Sequence, residues 1–322
     1  MNFVLTGIGA GLVSALLTAV VTQATPLAAI LYLLSPIPVL IVSLGWNHRA
    51  GLIATAVGGA VIAAFLSPLS GLGFAVVTAL PAWWLSYLAL LGRPNQDGTM
   101  EWYPVGRLLV WMAATAALTI VAAGVLTTGG DHAEFHQNAR EVSQALVNLQ
   151  FPQGGKESLD AKLREGVVEW VAQLIPFLSA QGFTIALSLY LYTAAKIVFL
   201  SKRLPRPWPD IAMLRMPGRV GILLIGAALL AFLFRSSFIG TFGTALLGAL
   251  FTAFSIQGLA IVHDRTRGRA FRPIILAGLY VLLFLTQGAL MIVLSLFGLA
   301  DTVFGFRRTG VNPNVPPPTL SS

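Results

Sequence analysis

The stretch "LYLLSPIPVLIVSLGWNHRAG", Leu31 to Gly51, decides the fold. It is an apolar run that holds Pro36 and Pro38 and closes in Trp46, Asn47, His48 and Arg49. Proline has no N–H to donate and clashes with the turn before it, so two of them break a helix at that point. The terminal cluster makes sense once the solvent is a bilayer: tryptophan favours the headgroup level and arginine the cytoplasmic side. The surroundings agree. Between Met1 and Gly92 the only charged side chain is Arg49.

The 322-residue chain is 56% hydrophobic and 10% charged, against about 25% charged in soluble domains. Uncharged apolar stretches of about 17–25 residues read as membrane spans. They fall at 3–22, 27–44, 50–66, 71–91, 105–125, 176–200, 220–234, 238–262 and 274–300. The expectation is an all-α polytopic membrane helix bundle with about nine transmembrane helices. Because 220–234 is short and 274–300 long, eight to ten are allowed. Strand-like alternation is absent, which argues against a barrel. Residues 1–126 would carry helices 1–5, 127–171 an external amphipathic segment, 172–300 helices 6–9, and 301–322 a Pro-rich, disordered tail. "MNFVLTGIGAG" has no basic leader region, so the first span reads as retained. The chain has no cysteine.

Net charge is +8, and its distribution points to orientation rather than to nucleic acid, which is not an expected partner. Loops 201–219 and 263–272 are basic, while 127–171 carries seven acids against four bases. Lys and Arg collect in cytoplasmic loops. The expectation is a multi-pass protein of the bacterial cytoplasmic (inner) membrane with a cytoplasmic N-terminus. Arg307 and Arg308 conflict with it, since nine spans leave the tail outside. A re-entrant or split last segment would remove the conflict.

In the external segment Phe135, Ala139, Val142, Leu146 and Leu149 make one helical apolar stripe, and Leu159, Leu163, Val167, Trp170 and Leu174 a second, separated by "FPQGG". Such helices either lie on the outer membrane surface or form a lid over an outward cavity.

Little catalytic chemistry is visible. The acids sit outside the spans or at their edges, the four histidines are in loops, and HExxH and P-loop motifs are absent. A non-enzymatic protein without a cofactor is expected. His132 and His136 lie four apart with Asp131 beside them, a spacing that can share a metal ion; a solvated helix is the plainer reading. Ligand-binding candidates are Pro36 and Pro38, because helices broken at mid-membrane mark transporter sites. Gln181 and Gln287 near mid-span and Arg235 in a short outer turn join them. A kink, interhelical hydrogen bonds and interfacial anchoring are the respective plainer readings. Gly7, Gly11, Ala15 and Ala19 recur every four residues, a stripe suited to a partner helix or to the protein's own helices.

Residues 34–88, from "LSPIPVLIVSLGWNHRAG" through "LPAWWLSYL", resemble the N-terminal half of the YybS-like family of bacterial membrane proteins, a domain of unknown function. "LRMPGR" at 214–219, "QGLAIVH" at 257–263 and "LFGLADTVFGFRR" at 296–308 follow in family order. That family is distantly similar to the substrate-binding S components of energy-coupling factor transporters. The resemblance implies a binding or transport subunit for an unknown small solute. It also implies a transmembrane coupling subunit docked on the first-helix stripe, within the lipid bilayer. The alternative is a membrane scaffold or assembly factor acting through its basic cytoplasmic loops.

Overall fold

Each long apolar stretch becomes helix, and the caps sit where short polar side chains precede it. The computed structural model describes residues 2–152, 160–286, 288–305 and 307. Helix α1 is Phe3–Ala19, extended by a tighter turn, Val20–Gln23. Then come α2 (Pro26–Leu33), α3 (Pro36–Gly45) and α4 (His48–Phe65). The next span is continuous but changes pitch: α5 (Pro68–Gly73), a wide π-type stretch (Phe74–Ala79) and α6 (Leu80–Ala89). A small antiparallel hairpin, β1 (Gly92–Pro94) with β2 (Met100–Trp102), leads to α7 (Val105–Thr128). The remaining helices are α8 (His132–Gln150), α9 (Ala161–Leu200), α10 (Val220–Leu233), α11 (Phe238–Arg265), α12 (Arg272–Leu285) and α13 (Leu290–Phe304). Asn2, Thr25, Asn47, Ser67, Asp131 and Asp160 each accept an orphan N–H of the helix they open, the usual work of N-cap side chains.

Among the described residues seven segments are long and apolar enough to cross a bilayer: Phe3–Gln23, Pro26–Gly45, His48–Phe65, Pro68–Ala89, Val105–Thr128, Ala161–Leu200 and Phe238–Arg265. Shorter apolar helices accompany them. The fold is an all-α helical membrane bundle.

The last expected span, 274–300, is two helices instead of one. Fourteen and fifteen residues reach about 21 and 22 Å at ~1.5 Å per residue, short of a hydrocarbon core about 30 Å thick. The break is chemically closed. Gly288 has φ +89 and donates to Leu283 O, Ala289 to Thr286 O, Met291 to Gly288 O, and Leu290 to Thr286 Oγ1. Tyr280 of α12 meets His263 at the end of α11 at 3.0 Å. Beyond α13, Arg307 donates to Ala212 O and Leu214 O in the basic loop. Arg307 thus lies against the basic loop that precedes α10. Helix α13 also carries through the boundary placed at 300 and ends at Phe304.

Helix α11 is the axle of the C-terminal half. Ala245, Ala249, Leu250 and Ala253 are fully buried on it, and α7, α9, α10 and α13 pack around it. Close approach depends on glycine. A Cβ on Gly248 would lie 2.1 Å from Phe177 O, and one on Gly258 2.0 Å from Leu294 O.

The two amphipathic stripes pack together as a helical hairpin. Helix α9 runs unbroken for 40 residues, so its first half is the second stripe, and α8 packs back on it. Arg140 pairs with Glu165 at 2.9 Å, and Arg164 donates to Asn148 Oδ1 and Phe151 O. The seam on α8 is Ala139, Ser143 and Val147, while Val142, Leu146 and Leu149 stay exposed. Small side chains win the seam because they let the helix axes approach, and Ser143 satisfies its hydroxyl on Ala139 O. Leu159 lies outside the described residues.

Candidate functional site

The proline pair opens a helix rather than kinking one. Helix α2 ends at Leu33, and Pro36 and Pro38 fall in the first turn of α3, where N–H groups have no helical partner anyway. The carbonyls at the break are mostly engaged locally: Ser35 N–H donates to Tyr32 O and Ile37 N–H to Leu34 O. Ser14 of α1 donates its hydroxyl to Ser35 O. A two-residue gap is left between α2 and α3.

Opposite the gap lies the π-type stretch. Pro81 has no N–H for the carbonyl of Val77 four residues back, and a widened turn before a proline is one way to absorb that. Helix α9 closes the third side. Between them is a cavity of about 60 Å³ lined by Tyr32, Ser35, Pro36, Val77, Thr78, Phe183 and Tyr190, with Leu33 and Leu187. One water needs roughly 10–15 Å³ on this measure, so a few waters or a very small solute fit. Among the described residues no Asp, Glu, Lys, Arg or His lines it.

Of the residues singled out in the sequence, Pro36 alone lines this cavity. Pro38 is half-buried in the first turn of α3. Gln181 points away: its Nε2 lies 3.5 Å from Met291 Sδ, and its carbonyl accepts from Thr252 Oγ1. It bonds between helices, while Phe183 and Leu187 of the same helix turn to the cavity. Arg235 is exposed in the α10–α11 turn, 4.9 Å above the Phe232 ring. Gln287 lies outside the described residues.

The first-helix stripe needs correction as a partner face. A Cβ on Gly7 would lie 2.6 Å from Ala50 O and one on Gly11 2.6 Å from Ala54 O, while Ala15 is 1% exposed. Helix α4 occupies the groove, and Ala19 continues it half-buried. Periodicity showed which residues share a face; it did not show what covers that face.

His132 and His136 do not converge. His132 Nε2 lies 3.1 Å from Thr241 Oγ1 with its ring edge-on to Phe238. Burial lowers its pKa, helped by His136. His136 Nε2 instead lies 3.3 Å from Glu169 Oε1. Among the described residues no three His, Asp or Glu side chains gather as a metal site.

A second polar centre was not legible beforehand. Gln257, fully buried on α11, accepts from Met216 N–H at 2.9 Å and donates toward Gly298 O, Asp301 Oδ2 and Thr302 Oγ1. Asp301, 0% exposed, pairs with Arg307 at 2.8 Å. Arg307 also holds Ala212 O and Leu214 O, and Arg215 reaches the carbonyls of Asp301 and Arg307. Residues 212–216, Gln257, 298–302 and Arg307, from three separate stretches of the chain, thus meet at one knot on the basic face. The available signal was a glutamine and an aspartate inside apolar helices, and Asp301 had looked like a span edge.

The family described as predicted membrane protein (DUF2232) matches residues 12–302, and the chain belongs to it. Comparison with curated proteins gave no match, and neither did comparison with solved structures.

Proposed function

We propose that this member of the predicted membrane protein family is a non-enzymatic subunit that binds or passes a small uncharged polar solute. The carrying observation is the cavity at the α2–α3 break, lined by hydroxyl-bearing Tyr32, Ser35, Thr78 and Tyr190 and facing a π-type turn. Broken helices at membrane depth and π-turns recur at binding sites. The YybS-like resemblance and its distant likeness to S components support the same reading. A coupling subunit, if recruited, docks elsewhere than on the α1 stripe. Native mass spectrometry of the gently solubilised protein tests it. The wild type should carry a small unassigned mass, and Thr78→Leu, which fills the cavity, should lose it without lowering the melting temperature. A wild type with no extra mass, or a variant that keeps it, sinks the proposal.

We place the N-terminus, the basic loops and Arg307 at the cytoplasmic side of a bacterial inner membrane, with α12 and α13 as a re-entrant pair, following charge asymmetry. The chain has no cysteine, so single cysteines report cleanly. Gln144 and Ala270 are exposed in α8 and in the loop before α12. An impermeant thiol reagent applied to cells with a permeable outer envelope should label Gln144→Cys and spare Ala270→Cys. The reverse pattern inverts the topology.

The second reading, a scaffold acting through its basic cytoplasmic loops, draws on the knot. Two buried side chains, Gln257 and Arg307, fix the 212–216 segment through three hydrogen bonds, as a rigid display surface would require.

A further inference from the structure

The loop after α9, residues 201–209, folds back over the ends of α3 and α6 on the basic face. Arg206 is half-buried and donates Nη1 to Ala89 O, the last carbonyl of α6, at 2.8 Å. Its guanidinium stands 5.9 Å from the Trp102 ring. Its Nε is buried without a partner among the described residues, and burial draws its pKa below the usual arginine value. Arg203 stacks 4.4 Å above Trp46, whose indole Nε1 is a second buried donor without a partner. Lys196 sits 4.8 Å over Trp208. Arg93, Arg140, Arg267 and Arg307 all find carboxylates. Among the described residues Lys196, Lys202, Arg203 and Arg206 make no such pair.

Four unneutralised cations interleaved with three tryptophans thus line one edge of the bundle. Two N–H donors in that group lack acceptors. A guanidinium beside an indole at the headgroup level matches a phosphate oxyanion: the fork takes two oxygens, and the ring covers the apolar stem of the lipid. Capping of α6 accounts for one nitrogen of Arg206 and does not explain the Arg203–Trp46 stack.

We propose that the 201–208 loop, with Trp46 and Trp102, binds the phosphate of an anionic phospholipid headgroup through Arg203 and Arg206. The test is lipid retention by the full chain in native mass spectrometry, titrated with phosphatidylglycerol and with phosphatidylcholine. Phosphatidylglycerol should be preferred, and Arg203→Gln and Arg206→Gln should each weaken its retention about fivefold. Lys202→Gln removes a charge from the same loop at an exposed position and should cost clearly less. Should Arg206→Gln fail to accumulate, Arg206→Lys keeps the charge but not the fork and should still lose retention, as Arg203→Gln should. Equal losses in all three variants would mean a diffuse surface attraction and overturn the site. Unchanged retention in the arginine variants would overturn it as well. Displacement of the lipid by millimolar inorganic phosphate would keep the phosphate chemistry but overturn the lipid as its source.

Discussion

Asp301→Ala lowers the unfolding free energy of the detergent-solubilised protein by about 3–5 kcal/mol, the cost of breaking a buried ion pair from one side. The geometry explains why the value belongs at the high end of substitutions. Asp301 is 0% exposed and Arg307 has 7% of its side chain exposed. Removing the carboxylate strands a guanidinium and takes one acceptor from Gln257 Nε2. The consequence spreads because Arg307 also anchors Ala212 and Leu214. The 212–216 segment should loosen and become sensitive to limited proteolysis after Arg215. Replacing both partners, Asp301→Leu with Arg307→Leu, should recover most of the stability, since an apolar pair leaves no orphan charge. Equilibrium unfolding in mixed micelles measures both. A single variant within about 1 kcal/mol of wild type would mean that the pair is exposed to water in solution and that the knot does not hold the loop.

Gly298→Val should be as damaging, for a steric reason. A Cβ at Gly298 would lie 2.0 Å from Phe254 O, and Gly258 makes the reciprocal approach to Leu294 O. Both neighbours are backbone, so no rotamer change relieves the clash; either α13 moves away from α11 or the helices deform. Overpacking costs typically about 1–3 kcal/mol and more where backbone must shift, and here the displaced helix also carries Asp301. The variant should therefore show loss of the α11–α13 seam together with the proteolytic signature expected for Asp301→Ala. Gly278→Val is the control, because no described residue lies within 4 Å of a Cβ built there. Equal stability of the two valine variants would show that α13 does not cross α11 at this point.

The same two regions separate what could be read early from what could not. The positions of α1, α4, α7 and α11 follow from apolar length, flanking caps and interrupting charge, and each of these is a local property that adds residue by residue along the chain. Pro36 drew attention for the right reason, since proline has no N–H, yet its effect depended on α2 stopping at Leu33 so that the ring falls in a first turn. The hydroxyls of Thr78 and Tyr190 carried no such mark; they became cavity lining only when α9 closed against the widened turn.

The sequence by itself determined the solvent and the secondary structure: a bilayer, because uncharged stretches recur at span length, and helices, because a lipid environment forces backbone bonds to close within a segment. Charge placement set Arg307 in conflict with a nine-span topology, and only the fold showed it bonded to the basic loop. Only the tertiary structure decided what covers each face. The stripe of Gly7 and Gly11 meets α4 rather than a partner, the apolar run over 274–300 folds into two short helices, and Gln257, Met216 and Asp301, each more than 40 positions apart along the chain or joined across it, come within hydrogen-bond distance. Periodicity fixes the direction a side chain takes from its own helix. Its partner is set by which other helix arrives there, and that depends on packing between segments that carry no information about one another in their local composition.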